Sequence, residues 1–131
     1  MTDVNNIQNL VGKAILALED KKAEDIRIID ISEVSVIADY FIIANGNNVS
    51  QIQAMADEVE EKLYKAGCPL KQKEGYTNAN WVLLDFGDII IHIFDKENRL
   101  FYDLERIWRD GVLIDPDKMK NNGNNVDTEN K

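Results

Sequence analysis

Cysteine and histidine are all but missing from this chain, with one of each, Cys68 and His92, among 131 residues. A lone thiol forms no internal disulfide, which fits a reducing cytosol, and a lone histidine leaves no ligand set with metal spacing. By pattern His92 falls mid-strand while Cys68 follows a helix, so a thiol–imidazole pair for nucleophilic catalysis is not expected. Long apolar runs are missing too: none approaches the ~20 residues of a membrane helix. Asp3, Glu19 and Asp20 stand where a signal peptide would need a basic start and an apolar stretch, so a cytoplasmic location without a signal peptide is expected. Positive charge is scarce, with 15 Lys and Arg against 24 Asp and Glu, a formal net charge of −9. Affinity for phosphate backbones comes from Lys and Arg displacing counterions, so direct nucleic-acid binding is not expected; encounter with a basic protein would be favoured.

What is present is ordinary globular material, 44% hydrophobic and 30% charged, enough for one domain. From Val4 to about Lys21, the residues Ile7, Leu10, Val11, Ala14, Ile15 and Leu18 fall on one helical stripe that Asp3 can cap. Ile26 to Ile31 reads as a strand, and Asp39 to Ala44 as a second. After the turn cluster Asn45-Gly46-Asn47-Asn48 comes another helix, with Ile52, Met55, Val59, Leu63 and Ala66 in line; Gly67 ends it and Pro69 blocks its continuation. A polar loop from Lys71 to Asn80 leads to strands Trp81–Asp85 and Asp88–Phe94, joined through Phe86 and Gly87 as a hairpin. A last helical segment holds Leu100, Phe101, Leu104, Ile107 and Trp108. The expected fold is an α/β (α+β) sandwich with a mixed sheet of four to five strands and helices mainly on one face. Strand two, helix two and strand three would form a right-handed crossover. Residues 1–114 form the domain, and the Asn-rich stretch 115–131 is expected to be a disordered tail.

Four strands make a sheet roughly 19 Å wide, which two helices of about 10 Å each cover on one face only. The character of the other face therefore decides what the molecule can do. If Asp85 pairs with Asp88, then Val82, Leu84, Ile89, Ile91 and Ile93 share an aliphatic face suited to packing under helices. Trp81, Leu83, Asp85, Asp88, Ile90 and His92 share the opposite one. That mixture of aromatic, apolar and acidic groups suits a protein partner, with an aromatic anchor supplying most of the energy. Asp85 opposite Asp88 would repel, and a basic partner would relieve the repulsion. A three-residue bulged turn would instead place Trp81 opposite Ile91. Competing readings make Trp81 a partly buried core aromatic and His92 a hydrogen-bonded scaffold group. An uncovered apolar face would also allow a homodimer to form reversibly.

The enzymatic alternative is nucleotidyl transfer. Gly46 and Ser50 lie between a strand and a helix N-terminus, where backbone amides attract phosphate. Such enzymes also need paired carboxylates on a following strand to hold Mg²⁺. Trp81-Val82-Leu83-Leu84-Asp85 carries one acid, at its end. No cofactor, no metal and no catalytic group is expected.

Three segments together resemble the ribosomal silencing factor family, also called RsfS or Iojap-like proteins. They are Asp39-Tyr40-Phe41-Ile42-Ile43-Ala44 with Gly46 and Gln51; Glu74-Gly75 with Trp81 through His92; and Arg99 with Tyr102 through Trp108. The resemblance spans about residues 3 to 109. It implies a nucleotidyltransferase-like fold with no established catalysis. It also implies binding to the fourteenth protein of the large ribosomal subunit, on the surface that meets the small subunit, so that subunit joining is blocked and translation falls when nutrients are short. On it, Trp81 is the apolar anchor, Asp85 and Asp88 are counter-charges, and His92 and Tyr102 belong to the family's characteristic block and the helix after it. Asn45, Asn47-Asn48-Val49 and Asn80 depart from the family's usual residues.

Overall fold

The computed structural model describes the backbone of residues 4–102 and 109–120, and the side chains of 6–99 and 109–120. Helix α1, Val4–Asp20, buries the stripe Ile7, Leu10, Val11, Ala14, Ile15 and Leu18. Strand β1, Glu24–Asp30, follows and pairs antiparallel with β2, Tyr40–Gly46. Every residue of β2 is buried, as its unbroken apolar run requires of a strand covered on both faces. Helix α2, Val49–Lys65, starts on Asn48, whose side chain accepts from the Gln51 N–H at 2.8 Å. It ends in a Schellman motif: the Cys68 N–H reaches the Leu63 carbonyl and the Gly67 N–H that of Tyr64.

Strands β3 (Gln72–Glu74), β4 (Trp81–Asp85) and β5 (Ile89–Asp95), helix α3 (Lys96–Tyr102) and strand β6 (Val112–Ile114) complete the described elements. The sheet has six strands in the order β3-β4-β5-β2-β1-β6, with β2 and β5 parallel and the other pairs antiparallel. Six strands exceed the four to five expected; β3 and β6, both three-residue edges, are not among the four that the sequence pattern places. The crossover also differs. The strand parallel to β2 is β5, and β4 runs antiparallel outside it, so the chain passes from α2 to the sheet edge and returns through the hairpin.

The hairpin register is shifted by two residues from the expected one. Asp85 faces Ile90, Leu83 faces His92 and Trp81 faces Phe94. The turn centres on Gly87 and Asp88, closed by the Phe86 N–H on the Ile89 carbonyl. Tight hairpin turns want a positive φ at their first central residue, which Gly87 supplies at 97° and Phe86 could not. Phe86 is thereby free to be buried. A shift of two preserves side-chain parity, so each residue keeps its expected face.

Against the helices, Ile28, Tyr40, Ile42, Ala44, Val82, Leu84, Ile91 and Ile93 join α1 and α2 in the main core. The second face is not left open across its width: Ile29, Ile31, Ala38, Phe41, Ile43 and Phe94 form a second buried cluster there. Helix α3 reaches this side too, since the buried Arg99 guanidinium donates to Asn45 Oδ1 and to the Asp25 carbonyl. The fold also runs past the expected boundary at 114. Residues 116–120 are helical, Met119 is buried in the main core, and Lys120 pairs with Glu19 at 3.0 Å. Among the described residues no helix is long and apolar enough to cross a membrane.

Candidate docking face

Strand β4 alternates strictly. Val82 and Leu84 are buried under the helices, while Trp81, Leu83 and Asp85 on the second face are half-buried. On β5, Ile90 beside Asp85 is half-buried as well, whereas His92 and Phe94 are covered. The edge strand β3 adds Gln72 opposite Asp85 and Glu74 opposite Leu83, both exposed on this face. Among the described residues, the less covered part of the second face is therefore its β3–β4 sector, with an indole at one end, leucine and isoleucine between, and acidic and amide groups along the rim.

Trp81 is held from below. Its Nε1–H donates to His92 Nδ1 at 2.9 Å, and its ring stacks on Phe94 with centroids 5.1 Å apart. His92, 4% exposed, meets Phe41 edge-on at 4.9 Å. It offers no surface to a partner, so its place among the expected contact residues is corrected to a supporting one. Burial disfavours the imidazolium and lowers the His92 pKa to about 4. The ring is neutral, and because Nδ1 accepts, the proton sits on Nε2, which is buried without a hydrogen-bond partner among the described residues.

Glycine at 75 is set by the same strand. Gly75 has φ of 78°, and a Cβ there would lie 2.1 Å from the Trp81 carbonyl oxygen. The 75–80 loop can thus lie flat against the start of β4, with the Ala79 N–H closing on the Gly75 carbonyl. Tyr76 fastens the loop to α2, its hydroxyl donating to Asp57 and its carbonyl accepting from Gln53.

The two expected counter-charges part company. Asp85 stays on the face, one oxygen accepting from the Gly87 N–H at 2.8 Å. Asp88 sits in the turn and does not oppose Asp85. It is exposed, lines a cleft of about 210 Å³ with Leu10, Cys68 and Lys71, and its carbonyl accepts from the N–H groups of Asp39 and Tyr40. Burial, followed by the charges of Asp88 and Asp30, raises the Asp39 carboxyl above its ordinary range. Tyr102 closes α3, and its side chain lies outside the described residues.

The Gly46–Ser50 loop is filled by the chain itself. Asn48 caps α2, Gln51 Oε1 accepts from the Asn47 N–H, and Gln51 Nε2 donates to the carbonyls of Lys21 and Lys22. A Cβ at Gly46 would meet Ile52 at 2.8 Å, so this glycine admits a close-packed helix. Among the described residues no group of three or more His, Cys, Asp or Glu side chains is placed to hold a metal ion.

A family model described as "Ribosomal silencing factor during starvation" matches residues 4–131. The chain belongs to the ribosomal silencing factor family. It is 41% identical over 112 residues to the Bacillus subtilis ribosomal silencing factor RsfS, covering 86% of this chain and 95% of that one. A crystal structure of a Chromobacterium violaceum protein superposes with a TM-score of 0.76 at 37% identity, over 78% of this chain and 85% of that one. A more distant relative is the mouse protein named mitochondrial assembly of ribosomal large subunit protein 1, 30% identical over 75% of this chain and 44% of its own length.

In the terms of this family, two groups on the face escaped the sequence reading. Gln72 and Glu74 sit in a stretch with no strand periodicity, and only the ladder to β4 brings them beside Leu83 and Asp85. The one available signal was the Glu74-Gly75 pair, whose glycine marks a close approach of two backbones.

Proposed function

We propose that the β3–β4 sector docks on the fourteenth protein of the large ribosomal subunit, at the surface that meets the small subunit. Occupying that surface blocks subunit joining and represses translation in the cytoplasm when nutrients are limiting. The mechanism is steric and makes or breaks no bond, so the chain acts without catalysis or cofactor. The observation that carries this reading is the half-buried run of Trp81, Leu83, Asp85 and Ile90, in which Trp81 and Ile90 pack against the edge of the second cluster and which no helix among the described residues covers. An aromatic anchor ringed by apolar and acidic groups fits a basic protein surface. The family's description speaks of silencing during starvation, and the mouse relative's name of the ribosomal large subunit. Two copies meeting through the same sector would hide each other's Trp81, so a homodimer would compete with docking.

Sedimentation with separated ribosomal subunits tests the proposal. The chain is expected to travel with large subunits and not with small ones. Trp81→Ala should keep the fold by circular dichroism and weaken binding by roughly 2 kcal/mol or more. Unchanged affinity in that variant would reject Trp81 as the anchor, and sedimentation apart from large subunits would reject the function.

A further inference from the structure

We propose that His92 is the positioning residue of the docking face, fixing from beneath the orientation in which Trp81 meets a partner. This inference rests on the docking reading and deepens it. Across the β4–β5 ladder Trp81 pairs with Phe94 and His92 with Leu83, so the indole reaches the imidazole on a diagonal. Stacking on Phe94 fixes the plane of the indole but not which edge points inward, because the outer torsion of an aromatic side chain is broad and roughly two-fold. The 2.9 Å bond from Nε1–H to Nδ1 selects one of the two. His92 is in turn immobilised between Phe41, edge-on, and Phe94, stacked at 6.2 Å. The indole N–H is thereby spent inside the protein, and a partner meets the carbon edge of Trp81.

The second nitrogen separates this role from plain packing. With Nδ1 accepting, Nε2 carries a proton that is buried without a partner among the described residues. An apolar side chain of similar size would fill the site without stranding the Nε2–H, and the half-buried indole, losing its acceptor, would turn its own N–H to solvent. Stability alone therefore argues against histidine here, while orientation of Trp81 argues for it.

The experiment uses the full chain, purified large ribosomal subunits and two variants. His92→Leu removes the acceptor; His92→Asn places Oδ1 near the position of Nδ1. His92→Leu is expected to melt at or above the parent's temperature yet bind subunits roughly tenfold more weakly. His92→Asn should recover most of that binding. In parallel, the Trp81 indole N–H, followed by NMR, should exchange slowly with solvent in the parent and in His92→Asn, and rapidly in His92→Leu. A His92→Leu protein that binds like the parent overturns the proposal and leaves the docking reading standing. One that melts well below the parent makes His92 a structural residue and also overturns it. A parent that does not bind large subunits removes the docking reading and this inference together.

Discussion

His92 gives the stability of the fold a pH dependence whose sign follows from burial. In the unfolded chain its imidazole titrates near 6.5; in the fold, near 4. Between these values the unfolded state binds a proton that the folded state does not. The stability tied to this group is complete above about pH 6.5 and declines as pH falls towards 4, by at most about 3 kcal/mol. Urea unfolding at pH 7.5 and pH 5 should show the parent losing more stability than His92→Leu; equal losses would show that the imidazole is not protected as described. Gly75 offers a second test at this scale. Alanine there would meet the Trp81 carbonyl at 2.1 Å with a left-handed φ, and a cost of about 1–3 kcal/mol is expected from the urea midpoint. A Gly75→Ala protein as stable as the parent would mean that the loop does not lie on β4. A hydrogen-bonded scaffold role for His92 is among the readings the sequence supports, whereas Gly75 stands there only as a letter of a motif. The Trp81–His92 bond depends on a diagonal that only the true register creates, and Gly75 on a backbone approach that periodicity does not report.

At the scale of elements, what could be read was what repeats. Helices α1 and α2 have several turns of apolar spacing and β4 has five alternating residues, so their extents and faces came out close to those observed. Strands β3 and β6 have three residues each, too few to establish a period, and β3 is exposed throughout. The observed hairpin register differs from the expected one because the length of the Phe86-Gly87 link does not say which residues turn; the turn is set by Gly87, which tolerates positive φ. The expected boundary at 114 rests on an Asn-rich composition, which does not reveal the buried side chain of Met119. That side chain makes a prediction: Met119→Ala should cost about 2–5 kcal/mol in chemical unfolding. A chain ending at Lys120 should be clearly more stable than one ending at Ile114. Equal stability of the two truncations would mean that residues 115–120 lie on the fold without contributing to it.

For the whole molecule the question is how an acidic chain finds its partner. A net charge of −9 speeds encounter with any basic surface but does not aim it. Aim requires charge beside the contact, and the fold puts Asp85 and Glu74 along the rim of the open sector, on neighbouring strands. Asp85→Asn tests the aim cleanly, because its amide oxygen can still accept from the Gly87 N–H and hold the turn. The melting temperature should stay close to the parent's while association with large subunits slows at low salt. Glu74→Gln, outside the hairpin, should act in the same direction. Both differences should shrink as salt rises, since screening shortens from about 10 Å at 0.1 M to about 3 Å at 1 M. Dissociation should change less than association, because rim charges act mainly on the approach. If stopped-flow measurements found the parent and both variants associating at one rate at low salt, the rim would have no steering role. Docking would then depend on the indole and its apolar neighbours alone.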